Sequence, residues 1–394
     1  MPIAAPSQYR LITSQSDFET LCEHLSKLSV IALDTEFVRT RTLQPLLGLI
    51  QVYDGEQTYL IDPLGLDSLL SFAVLLKDAG IVKVLHACSE DLEVFLTHMQ
   101  TAPQPLFDTQ FAAHVLGMGM SLGYAKLVEL ECNVLLDKGE SRTDWLARPL
   151  SDKQLHYAAN DVIYLYQLYQ KLQPRIFEQD LQTLVYSEFE ALSFKKAAQI
   201  PPQYAYLTFS NNWKLNDQQR FVLRQLAAWR LDRAREKNIA INFVVKEAHL
   251  LAVSTALPTS KGQLANLGLL PQEIRKHGDA LVSMVTQSLS QYRDPEQPIS
   301  HRVPKVRRLN DVSVYKQSLA QLKHLCIGVA NKRGIAPEIL ASKKQLNQLL
   351  KWWWFELEET SAQGLMPDLL LGWRKSLLQD ELIKLLGAPT KPIH

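Results

Sequence analysis

Between about residues 9 and 175, short apolar runs alternate with stretches of helical periodicity. The run VIALDTEF, beginning at Val30, predicts a strand. Leu46–Asp54 (LLGLIQVYD) and Gln57–Pro63 (QTYLIDP) predict two more, joined by a turn at Asp54-Gly55. A helix is expected around Leu66–Asp78, a strand over Ile81–Ala87, and a helix from about Ser89 to His98. A short strand in PLFDT with a helix after it completes the series. Strands first in a hairpin, then alternating with helices, predict a mixed sheet with helices on its faces, an α/β domain.

From about residue 175 the strand signals fade and helical periodicity takes over. Asn216–Asn238 sets Phe221, Leu223, Leu226, Trp229 and Leu231 near helical spacing, with Asn216 or Asp217 placed to cap the helix. Tyr292–Leu309 holds three prolines and several basic residues and is expected to be an exposed linker. An internal repeat spans this half. AREKNIAINFVVKEAHLL, from Ala234, aligns with ANKRGIAPEILASKKQLN, from Ala330. Ile239 then matches Ile335, Ala240 matches Ala336, Phe243 matches Ile339 and Leu250 matches Leu346. Further on, LPQEIRKHG from Leu270 matches MPDLLLGWR from Met366 more loosely. Two copies of one small helical domain are expected. The boundaries predicted are residues 1–200 for the α/β domain, 201–295 and 311–394 for two all-α modules, and 296–310 for the linker between them.

Composition narrows this little. The chain has 394 residues, 46% of them hydrophobic, enough for a sizeable globular core, and its formal net charge of +1 argues neither for nor against nucleic acid. Cys22, Cys88, Cys132 and Cys326 are scattered, with no CxxC pair to suggest zinc or a disulfide framework. The first residues, MPIAAPSQYRLITSQSDF, carry no basic segment followed by an apolar core. No segment approaches the roughly 18–20 apolar residues of a membrane helix. A cytoplasmic protein is expected.

Candidate chemistry lies in the acids. Residues i and i+2 of a strand share a face, so Asp34 and Glu36 can converge at the carboxyl end of an apolar strand. Two close carboxylates repel unless a cation neutralises them, and hard cations such as Mg²⁺ prefer oxygen ligands. A polar strand end with one acid capping a turn is the plainer alternative. Asp91 follows a second apolar strand in the first turns of a helix, where the helix dipole also favours an acid. Tyr157 and Asp161 lie four apart on a helix and share a face.

Together, Asp34-Thr35-Glu36, Asp91 within HACSEDLE, and Tyr157-Ala158-Ala159-Asn160-Asp161 resemble the DEDDy group of 3′→5′ exonucleases, whose fold is like that of ribonuclease H. The doubled module resembles the HRDC domain, found also in RecQ-type helicases. A DEDDy nuclease followed by two HRDC-like domains resembles the ribonuclease D family, and SRTDWLARPLS, Ser141 to Ser151, fits it too. Cys88 departs from the family pattern, which has a small residue such as Gly or Ala there.

The resemblance implies two divalent metal ions per active site, Mg²⁺ or Mn²⁺, about 3.5–4 Å apart. Asp34 would bridge them, Glu36 and Asp161 would complete the first ion's protein ligands, and Asp91 would support the second. Tyr157 would orient the attacking water. The implied activity is an exoribonuclease releasing nucleoside 5′-monophosphates from RNA, especially tRNA precursors with 3′ trailers, with no obligate protein partner. A DNA exonuclease of the proofreading or Werner type, and a non-catalytic nucleic-acid-binding scaffold, are the alternatives.

Lys138, Arg142 and Arg148 are candidate RNA contacts, a solvated loop charge being the other explanation. His86 is assigned a supporting role, since Mg²⁺ disfavours imidazole, and Asp108 a helix cap. KWWWFE, Lys351 to Glu356, offers base stacking, but an amphipathic helix there would bury at least two of its tryptophans. Arg220, Arg224, Arg230, Arg233, Arg235 and Lys237 enrich one helix in positive charge, either as a phosphate-tracking surface or as an ordinary exposed face.

Overall fold

The computed structural model describes residues 8–136, 143–294, 296, 303–389 and 391–393. Its first unit is built on β1 (Tyr9–Ile12), β2 (Val30–Val38), β3 (Leu46–Tyr53), β4 (Thr58–Ile61), β5 (Val82–Leu85) and β6 (Leu106–Asp108), in the order β1-β4-β3-β2-β5-β6. β2–β3 and β3–β4 pair antiparallel; β1–β4, β2–β5 and β5–β6 pair parallel. The sheet is mixed, as the apolar pattern predicts.

Among the described residues seven helices accompany it: α1 (Gln15–Leu25), α2 (Leu70–Lys77), α3 (Ser89–Met99), α4 (Thr109–Val115), α5 (Tyr124–Cys132), α6 (Asp152–Glu178) and α7 (Gln182–Ala197). The apolar pattern singles out neither β1 nor α1. β1 has four residues, of which Ile12 alone is buried, too short a run to register as alternation. α2 begins later than expected: a 3₁₀ turn at Pro63–Gly65, capped by Asp62, closes on an extended Leu66, and the helix starts only at Leu70.

Alternation along β2 assigns the two faces of the sheet. Ile31 and Leu33 join Phe18, Leu76, Leu92 and Phe95 in a core shared with α1, α2 and α3. Ala32 and, on the next strand, Val84 join Val162 and Leu165 of α6 on the other side. Leu49 and Leu60 of β3 and β4 meet Leu155 and Ala158 of the same helix. The β2–β3 register shifts between Glu36 and Phe37, so that Leu49 and Leu47 are their partners and Gly48 is the extra residue of a bulge. A Cβ on Gly48 would lie 2.5 Å from the Trp145 carbonyl oxygen, so only glycine lets the Trp145 backbone come this close.

The rest is helical: α8 (Asp217–Lys237), α9 (Ile241–Val244), α10 (Glu247–Ala256), α11 (Lys261–Asn266) and α12 (Pro271–Arg293), then α13 (Tyr315–Arg333), α14 (Pro337–Leu340), α15 (Lys343–Trp354), α16 (Glu359–Ala362) and α17 (Gly372–Leu386). Asn216 caps α8 with a full capping box. The repeat is visible at the backbone: α8 and α13 end on left-handed Asn238 and Gly334, which occupy matching positions. Leu250 and Leu346 are both buried. Phe243 is exposed whereas its counterpart Ile339 is buried; the next residues, Val244 and Leu340, are buried in both copies. The copies diverge after α15. α12 starts at Pro271, but Pro367 leads into a 3₁₀ turn, and α17 starts at Gly372.

The stretch expected to be an exposed linker is anchored from Val303 onward. Val303 is buried in the first module, its carbonyl accepts from Arg220 Nε at 3.0 Å, and the Arg308 guanidinium lies 3.6 Å from the centre of the Trp213 ring. Trp352 and Trp353 are buried in the second module and Trp354 is half-buried.

Both modules touch the α/β unit. The Ala240 N–H donates to Arg41 O at 2.8 Å, and Asn238 Oδ1 accepts from the Gln44 N–H at 2.9 Å, joining the α8–α9 turn to the β2–β3 connection. α17 packs on α7, where Trp373 Nε1 donates to Glu188 at 2.8 Å, Arg374 pairs with the same carboxylate, and Lys195 meets Asp368 at 2.9 Å. Among the described residues no helix is long and apolar enough to cross a membrane.

Candidate active site

β2 carries Asp34 and Glu36 on the face that α6 covers, and α6 carries Asp161. Ligand oxygens of these three carboxylates lie within 4.8 Å of one another. The placement follows from local sequence. Ser151 and Gln154 form a capping box that fixes where α6 starts. The small side chains of Ala158 and Ala159, both fully buried, let the helix lie close to the sheet. Tyr157, one turn before Asp161, then reaches it with its hydroxyl.

Asp91 arrives from the other side. Thr35 points to the opposite face from Asp34 and Glu36, and its hydroxyl donates to Asp91 Oδ1. The turn before α3 holds Ala87 at φ 54°, and the Cys88 N–H donates to Asp108 Oδ2 at 2.8 Å, which sets the start of the helix. Asp91 is not one of the three clustered carboxylates, yet its charge acts on both Asp34 and Glu36.

Burial in a poorly hydrated site raises all four acids, and the charges of the neighbouring site acids add to it at Asp34 and Glu36. Burial, then the charges of Asp91, Asp161 and Glu36, hold Asp34 well above the usual carboxylate range. Burial, then Asp161 and Asp91, push Glu36 up to about 9. Burial raises Asp161 to about 7 against the hydrogen bond from Tyr157. Burial raises Asp91 to about 6 against the bond from Thr35. The Tyr157 phenol is itself pushed upward by burial and the neighbouring acids, so it keeps its proton at any working pH. An all-oxygen donor set whose charges cannot coexist unscreened fits hard divalent cations.

Several neighbours carry no motif of their own. Tyr124 is pushed far up by burial and by the charges of Asp161 and Asp34, and its hydroxyl donates to Asn160 O at 3.1 Å. Gln51 is the cross-strand partner of Asp34 and is fully buried. Trp145 packs its ring against Tyr157, 6.2 Å between centres. Trp145 sits in the stretch the family pattern singles out. Tyr124 and Gln51 have no signal short of the fold.

Other candidates separate by contact. His86 Nδ1 lies 2.9 Å from Thr109 Oγ1 and its ring meets Tyr124 at 5.5 Å, a supporting position. Asp108 caps α4, accepting from the Phe111 N–H at 3.0 Å. Lys138 and Arg142 lie outside the described residues. Arg148 is a correction: its guanidinium is spent on Asp62 and backbone carbonyls and is not free for phosphate. The phosphate-tracking face of α8 is corrected likewise. Arg220 and Arg230 are buried, bonded to Val303 O and Val245 O, because the six cations do not share one side of the helix.

Comparison with known proteins bears on this geometry. A family profile described as 3′-5′ exonuclease matches residues 9–176, one described as HRDC domain matches 219–285, and one described as Ribonuclease D, C-terminal HRDC domain matches 314–382. Ribonuclease D of Escherichia coli is 42% identical over 379 residues, 96% of this chain and 98% of its own length. Ribonuclease D of Pseudomonas paraeruginosa is 38% identical over 389 residues, 98% and 99% of the two chains. The crystal structure of Escherichia coli RNase D, described as an exoribonuclease involved in structured RNA processing, matches with a TM-score of 0.89 at 41% identity, covering 96% of this chain and 98% of that one. The catalytic core of RRP6 from Trypanosoma brucei shares the fold with a TM-score of 0.56 at 22% identity, covering 73% and 82%.

Proposed function

This chain belongs to the ribonuclease D family, and on that premise we propose that it is a cytoplasmic 3′→5′ exoribonuclease that shortens tRNA precursors with 3′ trailers and other structured RNA, releasing nucleoside 5′-monophosphates. The observation that carries this reading is the convergence of Asp34, Glu36 and Asp161, with Tyr157 one helical turn from Asp161 on the same face of α6. A binding scaffold has no need of three mutually repelling carboxylates. The division into a nuclease over 1–200 and helical modules over 201–295 and 311–394 is supported by the element order, with Val303 amending the linker at 296–310.

Asp34, Glu36 and Asp161 would hold the divalent cations, Mg²⁺ or Mn²⁺; Asp34 would serve both ions and Asp91 would support the second. Bound there, the cations supply Lewis-acid stabilisation of charge on the scissile phosphate and make water a better nucleophile. Tyr157, on the same helix face as Asp161, would direct its proton to that carboxylate. Its oxygen then accepts a hydrogen bond from the attacking water and turns the water's lone pair towards phosphorus. Because the phenol stays protonated, it orients the water and does not act as the base.

Tyr157→Phe is expected to fold normally and to lose about 10²-fold in kcat with KM little changed. Single-turnover kinetics on a labelled RNA check it; full activity removes Tyr157 from the reaction. RNA preference is tested on matched single strands. RNA is expected to lose 3′ nucleotides about tenfold faster than DNA of the same sequence, the worth of one well-placed hydrogen bond to the 2′-hydroxyl. Equal or faster decay of DNA would make the chain a DNA exonuclease.

A further inference from the structure

The segment that leads into α6, residues 143–150, is tied down more heavily than a surface loop requires. Arg148 lies at its centre. Nε donates to Asp62 Oδ2 at 2.6 Å and Nη2 to Asp62 Oδ1 at 2.7 Å. Nη2 also donates to Gly48 O at 2.7 Å, and Nη1 to Trp145 O at 2.9 Å and Ala147 O at 2.8 Å. A guanidinium has five N–H groups, and these five bonds use them all. Asp62 is itself fixed at the end of β4, where its Oδ1 accepts from the Leu64 N–H at 3.0 Å. One cation thus joins the loop to both β3 and β4.

The other end of the segment is stitched to α6. Gln154 Nε2 donates to Thr143 Oγ1 at 3.1 Å and to Asp144 O at 3.3 Å, while Gln154 also completes the capping box with Ser151. Between these anchors Trp145 is buried on Leu49, Leu60 and Ala158, with its backbone pressed against Gly48. Its ring is a wall for the ring of Tyr157.

We propose that Arg148 is a positioning residue for hydrolysis: it fixes Trp145 against the sheet and, through Trp145, holds the Tyr157 hydroxyl over the carboxylates. This rests on the role given to Tyr157 above. Lysine cannot substitute. It has three donors on a single nitrogen and cannot span Asp62, Gly48 and the loop carbonyls together. A tilt of the Trp145 ring would pass directly to Tyr157, and a misplacement of about 1 Å there costs up to about 10²-fold in rate.

The test is a double-mutant cycle on the full chain with a single-stranded RNA substrate. Arg148→Lys is expected to lower kcat about 10- to 100-fold, with KM and RNA affinity within about twofold of the parent and the salt dependence of binding unchanged. In the Tyr157→Phe background the same change is expected to cost no more than about threefold, because the group it positions is already gone. Asp62→Asn, which weakens the clamp from the other side, should show the same loss of kcat and the same non-additivity; it carries the test should Arg148→Lys fail to fold. Fully additive losses would overturn the proposal while leaving Tyr157 in the reaction. So would a loss of affinity with a shallower salt dependence and intact kcat, the signature of a phosphate contact. A fully active Tyr157→Phe enzyme would instead take down the assignment of Tyr157, and this proposal with it.

Discussion

Asp34→Asn yields a protein that still binds RNA and no longer shortens it. Asp34 faces Glu36 and Asp161 and feels the charge of Asp91, so it is the one carboxylate on which all the other acids act. Asparagine keeps the shape and one acceptor oxygen but removes the charge that would draw divalent cations into the site. The expected loss of kcat is about 10³-fold or more, the scale of removing a group that stabilises transition-state charge. RNA affinity, measured by fluorescence anisotropy in chelator, should stay within about threefold of the parent, since most of an RNA footprint lies beyond the scissile phosphate. Digestion at the parent rate would refute the site. In chelator the variant should also melt higher than the parent, because one member of a repelling buried group has been neutralised.

Removing divalent ions from the unaltered protein should abolish hydrolysis and expose a pH-dependent weakness in the fold. Each acid titrates near 4 when unfolded, but Asp91, Asp161 and Glu36 are raised to about 6, 7 and 9 in the folded chain, and Asp34 is raised as well. The folded state therefore holds more protons than the unfolded state across this window. Stability is full below about pH 4 and is lost as pH climbs through the folded values. The melting temperature in chelator should fall by several degrees between about pH 5 and pH 9. Millimolar Mg²⁺ or Mn²⁺ should flatten the slope by binding the ionised carboxylates of the folded state alone. A metal-free protein whose melting temperature is level across that range, or full activity in excess chelator, would contradict the assignment.

The acids were legible because two periodicities reveal them: alternation puts Asp34 and Glu36 on one face, and the helical repeat sets Tyr157 beside Asp161. The same alternation sends Thr35 the other way, which is why Asp91 reaches the site from the opposite face and stands apart from the cluster. What escaped was whatever depends on a remote partner. Arg148 looks like a loop charge until Asp62, 86 residues earlier, comes beside it. Arg220 looks like part of a basic face until Val303, 83 residues later, takes its Nε–H. Val303 also hides within a proline-rich, basic stretch whose composition says linker. Composition records which groups a segment contains and not which of them find partners elsewhere.

The seam between α7 and α17 limits how this chain can be taken apart. Leu184 and Val185 of α7 belong to the same apolar cluster as Leu378 and Leu382 of α17, and Glu188 takes both Trp373 and Arg374. A minimal enzyme cut near residue 200 would bare that greasy strip and strand Glu188 without its cation. Gene fusions and domain exchanges should therefore keep the C-terminal module with the nuclease as one inheritable block.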